Sequence, residues 1–307
     1  MTTIPATDHS TSNLPAIAAM LAGQATFTIN DALIKLAAAG MPGGQAIFLR
    51  GVMAFLVAST ICAAVGGLKF STLRGHGRIL TFRNIGEIGS TFFYLSALFH
   101  LPIATTTAIL QFIPLAITAS AALFLAEPVG WRRWLATAVG FVGVMLIIRP
   151  GSDSFSAYTL LALAGVFFSV LRDLSTRRIS RQVPAILLVT ISAATVTIAA
   201  TGFALFETWI IPPPKSLALL AGAAVFLLGG YFFMVDAMRY GQVAVVSPFR
   251  YSVILWAILV GIVIWGEWPD AMALLGTAIV TLAGLYTFMR ERKVKALAAS
   301  ADRIKGR

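Results

Sequence analysis

Ionisable side chains interrupt long apolar runs of this chain, among them Asp31, Lys35, Arg50, Glu87 and Arg250. If those runs cross a bilayer, each charge costs about 2.5–3.5 kcal/mol on insertion scales, so such residues usually face a cavity or a partner. The sequence has no Walker loop, no Gly-x-Ser-x-Gly, no His-Glu-x-x-His and no histidine cluster. The pattern therefore indicates binding of a polar molecule rather than catalysis, with no cofactor and no metal site.

The two arginines suit recognition of an anionic or carbonyl group, because a guanidinium donates hydrogen bonds to two oxygens at once. Pro248 lies two residues before Arg250, and a proline there loosens backbone bonds and bends a helix. Each arginine has a structural alternative. Arg50 has the alternative of a salt bridge to Asp31 or Glu87. Arg250 either faces a cavity, where it binds substrate or pairs with Glu87, or extends to the membrane surface.

The acidic residues have alternatives of the same kind. Asp31 and Lys35 are four residues apart and share one helix face. They either line a substrate path or neutralise each other, with Lys35 extending to the membrane surface. Glu87 lies between Gly86 and Gly89, small residues that let another helix approach closely. It is the first candidate for proton coupling, and its alternative is a fixed partner for an arginine.

Aromatic and amide side chains are predicted to complete the cavity. Aromatic rings could stack on a flat ligand, although such residues also pack between helices and form interfacial belts. An amide within a membrane helix needs a hydrogen-bond partner. The predicted residues are Tyr94, Gln111, Tyr231, Tyr251 and Trp256.

The composition identifies an integral membrane protein. Of the 307 residues, 58% are hydrophobic and 11% are charged, and the mean hydropathy is +0.88. Soluble domains are usually about 45–50% apolar and about 25% charged. The single cysteine, Cys62, permits no intrachain disulfide.

The apolar runs predict ten transmembrane helices. A crossing takes roughly 20 apolar residues, and because loops are not tolerated inside lipid, all spans should be helices. The predicted spans are 15–38, 45–65, 80–99, 102–125, 131–149, 156–175, 184–206, 217–238, 243–265 and 270–289.

Basic residues are concentrated in alternate connections, which places both termini in the cytoplasm by the positive-inside rule. Residues 1–14 are then a cytoplasmic tail, and residues 290–307 are a basic cytoplasmic tail. The net charge of +11 serves to orient the chain against anionic lipid, so no nucleic-acid partner is expected.

The two halves of the chain resemble each other weakly. Shifting the sequence by 140 residues aligns Glu127 with Glu267, and each glutamate closes a long apolar span before a proline. Five spans is an odd number, so repeats over 15–149 and 156–289 would have opposite orientations in the membrane. Inverted repeats around a midplane site are a recurrent plan of secondary transporters.

These features together resemble the EamA branch of the drug/metabolite transporter superfamily. The resemblance is carried by FLRG at 48–51, the Glu-Pro and Glu-x-Pro motifs, and the stretch from 247 through 292. It implies a secondary transporter of the bacterial inner membrane, with a substrate cavity between the halves. Similar members move riboflavin, S-adenosylmethionine, or amino acids and related metabolites. The family has no universal motif that would name site residues.

The expectation is therefore an all-α polytopic membrane protein that works by alternating access. Riboflavin uptake is the first expectation for its cargo, and S-adenosylmethionine uptake and export of amino acids or other metabolites are alternatives. A channel or a non-transporting membrane scaffold is the alternative from another class, and an enzyme is not expected. The partners are a small-molecule substrate and the lipid bilayer; proton coupling and a homodimer stay open.

Overall fold

The chain folds into a helical bundle, seen in a computed structural model. The structure describes residues 13–125, 130–151, 155–180, 182–240 and 242–305, and within these ranges it contains helices and no strand. Three of the ten helices depart from regular α-helix. The helices are α1 (Leu14–Ala38), α2 (Gly43–Ala64), α3 (Gly77–His100), α4 (Ile103–Leu110 and Ile113–Leu125), α5 (Trp131–Ile148), α6 (Tyr158–Arg177), α7 (Ala185–Ala200, extended by a 3-10 turn at Thr201–Leu205), α8 (Pro214–Tyr240), α9 (Val243–Val246, a 3-10 segment at Ser247–Ser252, then Val253–Trp265) and α10 (Ala271–Lys305).

The predicted all-α polytopic fold is confirmed. Each predicted span has its helix, and nine of the ten are long and apolar enough to cross a membrane within the described part of the chain. The tenth, α3, carries Arg78, Arg83 and Glu87 within its length, and it packs against α6. Within the predicted tail at 290–307, α10 continues as a helix to Lys305. Most of the predicted tail at 1–14 lies outside the described residues.

Helices from the two halves of the chain pack against each other. The most extensive contacts join α1 to α8, α3 to α6, α5 to α10 and α2 to α7, and α4 lies along α9. Short connections make successive helices alternate in direction. Asn13 and Arg290 therefore lie at one end of the bundle, called the tail end below. The opposite end, which carries Ala39 and Leu101, is called the loop end.

Glycines set the close approach of α3 and α6. A Cβ atom on Gly86 would lie 2.6 Å from the backbone nitrogen of Arg172 and 2.9 Å from the carbonyl oxygen of Phe168. On α6, a Cβ on Gly165 would lie 3.3 Å from the backbone nitrogen of Tyr94. Small residues let helix backbones meet in this way. The approach brings Glu87, next to Gly86, against α6.

Two helices are interrupted in the middle of the bundle. The α4 helix breaks between Leu110 and Ile113, where Pro114 has no N–H for the carbonyl of Leu110. The α9 helix passes through a 3-10 segment that contains Pro248 and Arg250. Both interruptions present irregular backbone at the depth where the ionisable residues lie, which membrane proteins tolerate only next to protein or a cavity.

Substituting Gly86 with alanine tests the α3–α6 contact. The new methyl group would overlap the backbone of α6, so we expect a loss of about 1–3 kcal/mol in the free energy of unfolding. Thermal unfolding of the purified protein in detergent measures the change. The matched control is Gly229→Ala in α8, where a Cβ would meet no atom within 4 Å. Equal melting temperatures for the two variants would contradict the packing described.

Candidate functional site

A cavity of about 610 Å³ lies inside the bundle and is lined by every helix except α5. Its residues come from the middle of α1, α3 and α8 and from the tail-end halves of α6, α9 and α10. It therefore extends from mid-bundle towards the tail end. Its volume is within the range of about 300–1,000 Å³ common for small-molecule sites.

The structure brings eight of the ten predicted site residues to the wall of this cavity. Lys35 and Trp256 are the two that do not line it. Trp256 is partly buried on α9, and its indole N–H has no partner among the described residues. The eight residues are Asp31, Arg50, Glu87, Tyr94, Gln111, Tyr231, Arg250 and Tyr251.

A hydrogen-bonded chain of polar side chains crosses the cavity wall between α2, α1 and α3. Arg50 donates from Nη1 to Asn30 Oδ1 at 3.3 Å. Asn30 donates from Nδ2 to Asp31 Oδ1 at 2.9 Å, and the hydroxyl of Tyr94 donates to Asp31 Oδ2 at 2.6 Å. The amide of Asn30 thus stands between the guanidinium of Arg50 and the carboxylate of Asp31. This fixes both charges at the cavity without joining them.

Arg50 is buried without an anionic partner. The residue is 8% exposed, and among the described residues it forms no ion pair and its Nε has no acceptor. The predicted alternative of a salt bridge to Asp31 or Glu87 is absent from this part of the chain. A buried charge without a partner is costly, so Arg50 can bind an anionic group that enters the cavity.

Glu87 has two arginine partners, neither of which is Arg50 or Arg250. It lies 3.6 Å from Arg83 on its own helix and 3.6 Å from Arg172 on α6. Ser192 on α7 joins the cluster, accepting from Arg83 at 2.7 Å and donating to Glu87 at 3.4 Å. Arg172 also pairs with Asp173 at 2.8 Å. The i,i+4 spacing of Arg83 and Glu87 was the available signal for this cluster.

Arg250 lies at the wall of the tail-end half of the cavity. It is exposed and forms no ion pair with Glu87 in the described residues. The neighbouring Tyr251 packs over Gly284 of α10, where a side chain would overlap its ring. Gln111 lies in the interruption of α4 and donates to the carbonyl of Thr107 at 3.5 Å.

Lys35 belongs to a different cluster, which closes the loop end. Its Nζ donates to the carbonyl of Leu101 at 2.6 Å, pairs with Glu267 at 3.5 Å and lies 4.8 Å from the centre of the Trp265 ring. The other oxygen of Glu267 accepts from the first amide of α4, at Ile103, at 3.3 Å. Lys35 therefore neither pairs with Asp31 nor extends to the surface. We call Lys35, Leu101, Ile103 and Glu267 the loop-end lock.

Further polar contacts reinforce the closure at the loop end. Gln45 donates to and accepts from the backbone of Ile210, at 2.6 Å and 3.1 Å. Arg149 at the end of α5 pairs with Asp270 at the start of α10. Asp270 also accepts from the N–H of Ala273 at 2.9 Å, which caps α10. Glu127, the aligned counterpart of Glu267, lies outside the described residues.

A bundle of membrane-length helices around a charged internal cavity defines a polytopic membrane protein. The model of the EamA-like transporter family matches residues 14–149 and 156–289, and the chain belongs to this family. The predicted family is confirmed.

Curated relatives similar to this chain are transporters by name. An S-adenosylmethionine uptake transporter of Rickettsia prowazekii is 25% identical over 274 residues, which are 87% of this chain and 90% of that protein. A riboflavin transporter of Vibrio cholerae is 25% identical over 277 residues, 89% and 93% of the two chains. The pseudopaline exporter CntI of Pseudomonas aeruginosa is 24% identical over 262 residues, 84% and 90% of the two chains.

A solved crystal structure shares the fold. It superposes with a TM-score of 0.63 at 20% sequence identity, over 90% of this chain and 99% of the other. At this identity the likeness concerns the fold alone.

Replacing Glu87 with glutamine tests the charge cluster. Arg83 and Arg172 would lose their shared counter-charge, and breaking a buried ion pair costs about 3–5 kcal/mol in unfolding free energy. Asp270→Asn is the matched control, because its pair with Arg149 is more exposed and such pairs contribute about 0–1 kcal/mol. Chemical or thermal unfolding in detergent compares the two. A Glu87→Gln protein as stable as Asp270→Asn would show that the cluster contributes no stability.

Proposed function

We propose that this protein is a secondary transporter that moves a small polar metabolite across the bacterial inner membrane by alternating access. The observation that carries the proposal is a charged cavity that extends to the tail end and is closed at the loop end by the lock. The distribution of basic residues supports a tail end, and with it both termini, on the cytoplasmic side. In this arrangement the structure corresponds to a state that faces inward.

The helix contacts support two inverted repeats of five helices. Exchanging each helix for the one five places later turns the α1–α8 contact into the α6–α3 contact. The same exchange maps α2–α7, α4–α9 and α5–α10 onto themselves. Such a pattern is expected when two halves are related by a two-fold axis in the membrane plane. The interruptions of α4 and α9 also correspond under this exchange.

Alternating access requires the lock to open while the tail end closes. Opening would separate Lys35 on α1 from Leu101 and Glu267, which belong to the α3–α4 and α9–α10 connections. Transporters commonly place interrupted helices at the midplane site. The breaks in α4 and α9 supply points at which the loop-end halves of these helices can move.

The charges of the cavity favour a charged cargo. S-adenosylmethionine, the cargo named for the Rickettsia relative, carries charged groups, whereas riboflavin, named for the Vibrio relative, is neutral. Arg50 and Asp31 form no ion pair in the described residues, and a neutral cargo would leave both charges without a counter-charge. We therefore place S-adenosylmethionine and related amino-acid metabolites ahead of riboflavin, the first expectation from the sequence. Export of such a metabolite uses the same site.

Proton coupling through Glu87 stays a prediction. Because Glu87 lies between Arg83 and Arg172, its protonation would weaken two ion pairs, one of which joins α3 to α6. Binding of a proton would then loosen the contact between the two halves. Transport in vesicles that an uncoupler leaves unchanged would contradict this role.

Uptake by proteoliposomes tests the proposed function. Radiolabelled S-adenosylmethionine, riboflavin and an amino-acid mixture are offered separately to vesicles with and without the protein. We expect uptake of a cargo that saturates and that excess unlabelled cargo competes away. Uptake that rises linearly with cargo concentration would identify a channel. No uptake or release of any cargo would support a scaffold, and chemical conversion of the cargo would support an enzyme.

The lock gives a second test. Cys62 is the only cysteine, so Cys62→Ala with Thr107→Cys places one thiol at the cavity wall. Adding Lys35→Met removes the lock's cation, and we expect several-fold faster labelling by a membrane-impermeant thiol reagent applied outside right-side-out vesicles. Lys215→Met, an exposed lysine at the loop end, is the matched control. An unchanged labelling rate in Lys35→Met would show that this cluster does not close the cavity.

A further inference from the structure

The cavity wall holds a guanidinium and a carboxylate side by side without a direct ion pair. Arg50 on α2 and Asp31 on α1 both line the cavity, and no ion pair joins them in the described residues. The amide of Asn30 lies between them and is hydrogen-bonded to both. Opposite charges so close would normally pair directly; here a fixed amide holds them apart.

Both charges keep unused hydrogen-bonding capacity. A guanidinium has five N–H donors, and in the described residues Arg50 donates only one hydrogen bond, at 3.3 Å. Each oxygen of Asp31 accepts one hydrogen bond, from Asn30 and from Tyr94. Since a carboxylate oxygen has two lone-pair sites, Asp31 can accept a further donor on each oxygen. The cargo can therefore supply an acceptor for Arg50 and a donor for Asp31 together.

We propose that Arg50 and Asp31 form a split site for the α-amino-acid group of the cargo, an inference that rests on the proposed transport function. Arg50 binds the α-carboxylate through its planar fork, and Asp31 binds the α-ammonium. The two ligand groups are attached to one carbon, so they can reach two protein charges separated by a single amide.

The charges of Arg50 and Asp31 determine which kind of chemical group the split site can bind. The site has one positive and one negative charge, and each is costly in the bundle unless it is compensated. A simple anion would satisfy Arg50 and be repelled by Asp31, and a simple cation would do the reverse. A neutral group would displace water from both charged side chains without replacing the interactions that the water made. A zwitterion satisfies both charges and leaves the site neutral.

The volume of the cavity indicates the size of the substituent attached to the amino-acid group of the cargo. About 610 Å³ is much more than a small amino acid fills. Beyond the split site, aromatic side chains line the wall, including Phe27 and Tyr231, whose rings meet edge to face at 5.4 Å. Rings of this kind suit a flat substituent. The cargo is thus an α-amino acid with a flat substituent of about nucleoside size.

Binding to the purified wild-type protein, measured by isothermal titration calorimetry, tests the ligand side. S-adenosylhomocysteine is a zwitterion with a nucleoside substituent, and 5′-methylthioadenosine is the same nucleoside thioether without the amino-acid group. We expect 5′-methylthioadenosine to bind about 10- to 100-fold more weakly. Equal affinities would overturn the split site, as would binding of riboflavin with no binding of S-adenosylhomocysteine. Methionine binding as tightly as S-adenosylhomocysteine would overturn the nucleoside-sized substituent.

Variants test the protein side. Arg50→Gln and Asp31→Asn should each weaken the binding of S-adenosylhomocysteine about 10- to 100-fold and leave the affinity for 5′-methylthioadenosine unchanged. Arg50→Lys keeps the positive charge without the planar guanidinium, so it should retain part of the affinity. It also replaces Arg50→Gln as the test if that variant does not fold. Arg78→Gln, the same change at an exposed position outside the cavity, is the control. If the Arg50 and Asp31 variants lost affinity for both ligands equally, the role of the two residues would be structural.

The transport assay separates this inference from the function on which it rests. A protein that transports riboflavin or another cargo lacking an amino-acid group, with saturation, is a transporter whose split site is wrongly assigned. A protein that binds S-adenosylhomocysteine through Arg50 and Asp31 but moves no cargo retains the site and loses the transport function.

Discussion

The structure depends on one constraint: a charge within a bilayer must find its compensation inside the protein. The helices satisfy it in three different ways. Glu87 is compensated by Arg83 and Arg172 in mid-bundle, and Lys35 by Glu267 and a carbonyl at the loop end. Arg50 and Asp31 are each hydrogen-bonded to Asn30 and face the cavity. The first two clusters hold helices together, and the third lines the cavity.

The three clusters are mechanically connected. Asp31 and Lys35 lie one turn apart on α1, so the cavity acid and the lock's cation belong to the same rigid element. A cargo that draws on Asp31 therefore acts on the helix that carries the lock. Glu87 and Tyr94 are both on α3, where Tyr94 bonds Asp31 and Glu87 bonds Arg172 of α6. A ligand bound at Asp31 would thus act on the loop end through α1 and on the α3–α6 contact through Tyr94.

Much of this arrangement follows from the sequence, and the rest depends on distances between helices. Apolar runs of membrane length and in-span charges predicted the ten helices and eight of the residues that line the cavity. Pairing could not be predicted, because it joins residues far apart in the chain. Lys35 meets Glu267, 232 residues away, rather than Asp31. Glu87 meets Arg172 on another helix rather than Arg50 or Arg250. The break in α4 was also missed, since a continuous apolar sequence gives no boundary.

The most direct measurement of the central claim is a structure of the protein with S-adenosylhomocysteine in a lipid nanodisc, determined by cryo-electron microscopy. The account predicts density for the amino-acid end between Arg50 and Asp31, with the pairs of Glu87 intact. A ligand bound against other side chains, with Arg50 and Asp31 joined directly to each other, would contradict the claim that these two charges are kept apart for the cargo.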